Sequence, residues 1–138
     1  MILSTCAEIQ QVPVRTDGHP LSAGRGPDVG VLGKRVALVD PEQVGLGATV
    51  FVTIRTNQHN EAWLERFAAA IRDIPEVVEC YRMSGDVDYL LKVVAADIAD
   101  YDRIYKKLIA RAELYDVSSS FAMESMKHTT ALPLVARD

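Results

Sequence analysis

From residue 48 onward the chain alternates between short β-type segments and amphipathic helical segments, and this order restricts the fold more than any other feature. The segment ATVFVTIR, residues 48–55, is rich in β-branched residues and directs alternate side chains to opposite faces. A helical segment follows, with Asn60 as a suitable N-cap and Pro75 as its stop. The pattern predicts that the domain begins with a strand and a helix.

The rest of the domain repeats these elements around a hairpin. Residues 77–83 and 87–95 have β-type sequences and are separated by a short turn around Gly85. A second helix is expected after the N-cap Asp97, and a last strand over residues 117–127. Strand–helix–strand crossovers are right-handed almost without exception. The order βαββαβ therefore predicts an α+β, ferredoxin-like fold with an antiparallel sheet and both helices on one face.

Both helical segments carry apolar residues at helical spacing, which predicts one core-facing stripe on each. The expected stripe residues are Leu64, Phe67, Ile71 and Ile74 in the first helix and Ile98, Tyr101, Tyr105, Leu108 and Ala112 in the second.

The third and fourth strands carry apolar residues on both faces, whereas the helices can cover only one. Leu91 and Leu90, for example, are neighbours in the chain and must face opposite sides of the sheet. The second face is expected to meet another copy of the chain, which predicts a dimer joined through the sheet. The alternative is that the N-terminal tail folds over this face, but the tail offers little apolar material.

The region before the domain has a different character. Residues 1–33 include three prolines and four glycines within QVPVRTDGHPLSAGRGPDVG and show no sustained period, so an irregular tail is expected. Residues 34–47 are interpreted as a linker strand, Val36–Pro41, followed by a turn at Gly45 and Gly47. Residues 48–138 are interpreted as the folded domain.

Composition excludes several function classes. The formal net charge of −4 and the pI of about 5.3 lack the basic footprint of a free-standing nucleic-acid binder. The two cysteines have no metal-ligand spacing, which favours a reduced cytoplasm. No apolar run approaches the roughly 18 residues of a membrane span, so no membrane association is expected.

Residue patterns that indicate catalysis or metal binding are missing from the sequence. The three histidines form no HxxxH or HxxE arrangement, and neither a G-x-S-x-G nucleophile motif nor a P-loop is present. We therefore expect no catalytic residue, no metal site and no cofactor. A small dimeric ferredoxin-like enzyme remains an alternative, because dimeric α/β-barrel oxygenases share this topology.

The hairpin corner carries two carboxylates, Asp86 and Asp88, beside Gly85. One interpretation is structural, with Asp86 in the turn and Asp88 solvated at the start of a strand. The other is that a carboxylate and the turn amides bind the charged ends of a small zwitterion. Ser119 and Ser120, near the start of the last strand, offer further hydroxyl groups or a merely polar strand start.

Three stretches in this order resemble the Lrp/AsnC (leucine-responsive/asparagine regulator) family of prokaryotic transcription factors. They are DPEQVGLG, ECYRMSGDVDYLLKV and MESMKHTTALPL, and the resemblance extends over roughly residues 35 to 134. It corresponds to the C-terminal effector-binding and oligomerisation domain of the family. The resemblance implies dimers joined sheet to sheet and assembled further into octamers, with an amino acid or related metabolite as the effector.

The resemblance also assigns residues to the effector pocket, which the family forms between subunits. Gly85, Asp86, Asp88, Ser119 and Ser120 are expected to bind the effector. Positions that the family uses for effector response or subunit assembly correspond to Arg82, Ile98, Phe121 and Ala122.

The N-terminal residues depart from the family pattern. Family members carry a helix-turn-helix domain of about 60 residues before the DP motif, whereas prolines and glycines occupy the corresponding positions here. DNA binding is therefore expected only through a helix-turn-helix domain not recognisable in this chain. Two interpretations remain open: a regulator whose DNA-binding half is lost or supplied by other chains, and a stand-alone metabolite-binding module.

Overall fold

The computed structural model describes residues 33–134, and the chain divides after Gly45 into two units. The described part of the first unit contains a short 3-10 helix, Glu42–Val44. The elements of the second unit are β1 (Ala48–Arg55), α1 (Glu61–Asp73), β2 (Val77–Arg82), β3 (Tyr89–Ala95), α2 (Ile98–Arg111) and β4 (Asp116–Phe121). The predicted βαββαβ order and the α+β, ferredoxin-like fold are confirmed.

All strand pairs are antiparallel, and the strand order in the sheet is β2-β3-β1-β4. The central pair, β1 and β3, runs in register from Ala48 opposite Ala95 to Ile54 opposite Tyr89. The hairpin and the C-terminal end of β1 therefore lie at one end of the sheet. The start of α2 and the C-terminal end of β4 lie at the other end.

The core lies between one face of the sheet and both helices. Residues from β1, β3, α1 and α2 form a single buried cluster, because β-branched residues alternate in the strands and apolar residues repeat in the helices. Its largest fully buried side chains are Trp63, Ile54, Leu91, Ile104, Val50, Val52 and Val93. Both helices pack on the same sheet face, as predicted.

The predicted helix stripes are partly wrong. Leu64 is 44% exposed and Ile98, the first residue of α2, is 71% exposed, whereas Trp63 and Ile104 are almost fully buried. In α1 the stripe is rotated because the Trp63 indole stacks on Phe67, with ring centroids 5.0 Å apart. The large indole takes the central position that the spacing had assigned to Leu64.

Side-chain caps fix the start of both helices, as the sequence predicted. The backbone N–H of Trp63 donates a hydrogen bond to Asn60 Oδ1 at 2.8 Å. In the same way, the N–H of Asp100 donates to Asp97 Oδ1 at 2.8 Å. Each bond satisfies a donor in the first helical turn that has no intrahelical partner. The described helices include none long and apolar enough to cross a membrane.

Two predicted strand boundaries are wrong because pairing partners are missing. Residues Val36–Pro41 form no strand within the part of the chain that the structure describes, where no neighbouring strand pairs with them. The last strand ends at Phe121 rather than at Lys127. Only Ala48 and Thr49 of β1 lie beyond Val50, the partner of Phe121, so β1 cannot pair with residues as far as Lys127. The predicted irregular tail, residues 1–33, lies outside the described residues except for Gly33.

Candidate functional site

The hairpin between β2 and β3 forms an exposed corner over residues 83–88. The N–H of Met83 donates to the carbonyl of Asp88 at 2.8 Å and closes the loop. Gly85 has φ +118, a backbone conformation that L side chains rarely adopt, so glycine suits this position. Within residues 33–134, the N–H groups of Gly85 and Asp86 donate no backbone hydrogen bond. These exposed donors can receive an anionic group.

Asp88 fastens this corner to the end of β1. Its N–H donates to the carbonyl of Ile54 at 2.9 Å, and its Oδ2 accepts the N–H of Thr56 at 2.8 Å. Thr56 is a polar residue that is buried in the described chain, with 7% of its surface exposed. Asp88 is half-buried, so its carboxylate is neither fully solvated nor fully enclosed. One carboxylate oxygen of Asp88 already has a backbone partner.

Asp86 and Arg82 provide charge at the same end of the sheet. Asp86 lies exposed in the turn, and Arg82 is the last residue of β2, opposite Tyr89. Neither side chain forms an ion pair with another described residue. The corner thus combines free N–H donors with an exposed acid and an exposed base, which are complementary to the two ends of a zwitterion.

Ser119 and Ser120 lie on opposite faces of the sheet. Ser119 pairs with the buried Val52, and its hydroxyl is hydrogen-bonded to the hydroxyl of Tyr101 in α2. Ser120 pairs with Phe51 and faces away from the helices. Burial raises the pKa of Tyr101, so its hydroxyl stays protonated at neutral pH. The structure does not bring the two serines together on one surface of the chain.

Three of the predicted assembly residues lie at the sheet end opposite the corner. Ile98 begins α2, Phe121 ends β4 beside Val50, and Ala122 follows it beside Thr49. The register separates this end from the corner by about six residues of strand, or roughly 20 Å. A single chain therefore does not unite all the predicted site residues.

Phe121 has a defined packing role within the chain. Its ring contacts Tyr101 edge-on, with centroids 5.3 Å apart and planes at 82°. Phe121 and Ser119 of β4 thus both contact Tyr101. The sequence gave no sign of Tyr101 as the partner of Phe121.

The sheet face away from the helices carries a mixture of apolar and charged side chains. Phe51 of β1 and Leu90 and Val94 of β3 form its apolar part, and none of them is fully buried. Lys92 and Glu79 form a loose ion pair at 4.0 Å on the same face. Beside them, the charge of Glu79 raises the pKa of Tyr81. We call this surface the open face.

A shallow groove lies on the helix side of the edge strand β2. Its lining is mainly apolar and consists of Leu64, Phe67, Ala68, Ile71, Arg72, Cys80 and Tyr89. Cys80 is exposed and lies on β2, an edge strand of the sheet. Partial burial of its thiol in the groove still raises the pKa of Cys80.

Thr56 and Tyr101 are the site-related residues that sequence reasoning missed. Thr56 lies just beyond β1, where a polar residue ordinarily indicates a solvated loop. Tyr101 was expected in the core, and its hydroxyl could have been matched with a serine on the same sheet face. The described residues contain no His, Cys, Asp or Glu cluster that could hold a metal ion.

Fold and site together define the class, a ferredoxin-like α+β domain. It has an exposed polar corner at one end of the sheet and a half-apolar sheet face that no described element covers. The model of the Lrp/AsnC ligand binding domain matches residues 49–132, which include both α-helices and, except for Ala48, all four described strands. The chain belongs to the Lrp/AsnC family. Its members are transcriptional regulators, so the enzyme alternative is set aside.

Comparison with known proteins gives the same assignment. The glutamate uptake regulatory protein of Zymomonas mobilis is 53% identical over 105 residues, which cover 76% of this chain and 64% of that protein. The chain thus spans slightly less than two thirds of the length of this relative.

Two solved structures extend the comparison. The crystal structure of an AsnC family transcriptional regulator from Agrobacterium tumefaciens has 60% identity and a TM-score of 0.72, covering 75% of this chain and 68% of that one. A transcriptional regulator of Neisseria meningitidis in complex with L-methionine has 34% identity and a TM-score of 0.72, covering 77% of this chain and 69% of that one.

Proposed function

We propose that this chain senses an amino acid and assembles into oligomers as the ligand-binding part of an Lrp/AsnC-type transcriptional regulator. The observation that carries this proposal is the family match over residues 49–132, which includes both helices and, except for Ala48, the whole described sheet. The exposed corner of that fold offers donors and charges suited to a small zwitterion. We place the protein in the cytoplasm, where such regulators meet both DNA and free amino acids.

The proposed ligand contacts are divided among the corner residues. The free N–H groups of Gly85 and Asp86 receive the ligand carboxylate, and the exposed Asp86 side chain pairs with the ammonium group. Asp88 holds the corner in place through Thr56, although its second oxygen can still accept a bond. Arg82 adds a positive charge at the rim. Ser120 is exposed on the open face and contributes only where another subunit approaches.

A second subunit is needed to complete the proposed pocket. The corner lies roughly 20 Å from Ile98, Phe121 and Ala122 in the same chain, a distance that no amino acid spans. A neighbouring subunit that presents its opposite end to the corner would bring both sets together. This supports a pocket between subunits, in a sheet-to-sheet dimer that assembles further, with an octamer as the expected form.

The identity of the ligand is proposed by class. The relatives are a regulator of glutamate uptake and a regulator bound to L-methionine, so the effector of this chain is proposed to be an amino acid without any further cofactor. L-glutamate and L-methionine are the first candidates. Binding at an interface between subunits would couple the amino acid to oligomer state, and hence to transcription, through linkage.

A thermal-shift panel of the common L-amino acids, with light scattering on the same samples, tests the proposal. We expect at least one amino acid to raise the melting temperature or change the particle mass. Gly85→Ala, which strains the corner, should abolish this response. Gly45→Ala is the matched control, since Gly45 also has a positive φ, +78, but lies outside the ligand-binding unit. A panel in which no amino acid changes either quantity would contradict the sensing role.

A further inference from the structure

The described residues after β4, 122–134, form no helix or strand, and their large apolar side chains are exposed rather than packed on the domain. Met123, Met126, Leu132 and Leu134 are 99%, 90%, 76% and 87% exposed. We call residues 122–134 the C-terminal arm. Large apolar side chains that are exposed together mark an interaction segment more often than a free surface.

Few bonds tie the arm to the rest of the described chain. The N–H of Ala122 donates to the carbonyl of Thr49 at 2.9 Å, which continues the ladder between β4 and β1 by one step. Beyond Ala122, the hydrogen bonds of the arm are local, from Ala131 to the Thr129 hydroxyl and from Leu134 to Leu132. The arm therefore begins at a fixed point on the edge of the sheet and then leaves it.

The open face has the polarity needed to bind such a segment. Phe51 remains 39% exposed at its centre, beside Leu90 and Val94, and no described element covers it. Its charged pair is loose, with Lys92 Nζ and Glu79 Oε2 at 4.0 Å. The arm carries one acid and one base, Glu124 and Lys127, among its apolar residues, so it complements this face in both polarity and charge.

We propose that the C-terminal arm of one protomer lies across the open face of a second copy, and that the two copies exchange arms reciprocally. This inference rests on the proposed sheet-to-sheet dimer and names the segment that holds it together. The occupant is a second copy because the arm leaves its own sheet at the outer edge of β4 with its apolar side chains unburied. Two exchanged arms bury both apolar segments, as an isologous interface requires.

The experiment substitutes arm residues in the full chain and measures self-association by sedimentation equilibrium. The double variant Met123→Gln with Met126→Gln changes side chains that are 99% and 90% exposed, so the fold should stay intact by circular dichroism. Each methionine should bury a large apolar area, and we expect dimerisation at least about tenfold weaker. The control, Ile109→Gln with Tyr115→Gln, alters two exposed apolar residues away from the arm and should associate like the wild type.

A third variant separates the failure of this inference from the failure of the proposed dimer. Phe51→Glu places a charge on the open face and should also weaken dimerisation. If Phe51→Glu weakens it and the arm variant does not, the arm exchange is overturned while the sheet-to-sheet dimer stands. If the arm variant weakens it and Phe51→Glu does not, the arm docks elsewhere and the inference is overturned. A wild-type chain that stays monomeric overturns both.

Amide hydrogen exchange then distinguishes exchange between copies from folding back on the same chain. The N–H groups of residues 123–134 should be protected at concentrations that favour the dimer and lose protection on dilution to monomer. Protection that is unchanged by dilution would mean that the arm covers its own sheet, which overturns the proposal.

Discussion

The Oδ2 of Asp88 accepts a hydrogen bond from the backbone N–H of Thr56 at 2.8 Å, across 32 positions of sequence. The N–H of Asp88 donates to the carbonyl of Ile54 at 2.9 Å, so the same residue contacts β1 through both its main chain and its side chain. The hairpin corner is thus held against the end of the central strand. Within a chain, Asp88 positions the corner whose free amides we assign to the ligand.

Replacing Asp88 with Ala should lower the free energy of unfolding by about 1–3 kcal/mol, because the buried N–H of Thr56 loses its acceptor. Asp88→Asn keeps an oxygen acceptor and should cost less. Urea unfolding measures both, and Asp86→Ala at the exposed turn is the control, expected to remain within about 0.5 kcal/mol of the wild type. Equal stability of Asp88→Ala and the wild type would show that the bond contributes nothing.

The hydroxyl pair of Tyr101 and Ser119 gives a second prediction. Tyr101→Phe and Ser119→Ala should each lower the free energy of unfolding by about 1 kcal/mol, because each change leaves the other, part-buried hydroxyl without its partner. The double variant should cost less than the sum of the two, because both changes remove the same bond. Additive losses in a double-mutant cycle by urea unfolding would contradict the pairing.

The titration of Tyr101 gives a pH dependence. Burial raises its pKa above the ordinary value of 10.0, so the native state holds the proton more tightly than the unfolded state. The corresponding stability is fully present below pH 10.0 and is lost as the pH rises through the raised value. Between neutral and alkaline pH, the melting temperature of the wild type should fall more steeply than that of Tyr101→Phe. Parallel curves would mean that Tyr101 does not titrate differently on unfolding.

The element order and helix starts were predictable because their causes are local. Asn60 and Asp97 cap through bonds that span three residues, and the alternation in β1 fixes which side chains face the core. The end of β4 was not predictable, because it depends on where β1 begins. Sequence alone gave no reason to expect Phe121 as its last residue.

The candidate site was only partly predictable for a similar reason. The corner around Gly85 follows from a local turn signal, whereas the role of Asp88 depends on Thr56, which is distant in sequence. Ser119 and Ser120 are adjacent in the chain but separate in space, because successive strand residues point to opposite faces. The predicted site residues at the two ends of the sheet, such as Asp86 and Ile98, are not brought together within one chain, and the sequence gave no sign of this separation.

The carboxylate of Asp100, in the first turn of α2, should stabilise the protein less as the pH becomes acidic. Asp100 accepts the N–H of Ala96 at 2.9 Å and binds the Arg103 guanidinium, and these contacts lower the pKa of Asp100 below its ordinary value of 3.8. Asp100→Asn should cost about 1 kcal/mol at neutral pH. The stability from the ionised cap is present above pH 3.8 and is lost as the pH falls through the lowered pKa. Urea unfolding at several pH values should therefore show the difference from the wild type shrinking in acid; a constant difference would refute the assignment.

Trp63 joins α1 to the loop after α2. Its indole N–H donates to the carbonyl of Glu113 at 2.7 Å, and its ring stacks on Phe67 at 5.0 Å between centroids. Trp63→Phe keeps an aromatic ring but leaves that carbonyl unpaired and a small cavity in the core. We expect a loss of about 2–3 kcal/mol in the free energy of unfolding.

Circular dichroism in urea is the suitable measurement for this variant, because Trp63 is the single tryptophan of the chain and its replacement removes the fluorescence signal. Leu64→Ala, on the exposed side of the same helix, is the control and should cost less than about 1 kcal/mol. If the two variants lost equal stability, the indole bond and stacking would not hold α1 in place. If only Trp63→Phe were destabilised, the contact between α1 and Glu113 would be the link that joins the two helical segments.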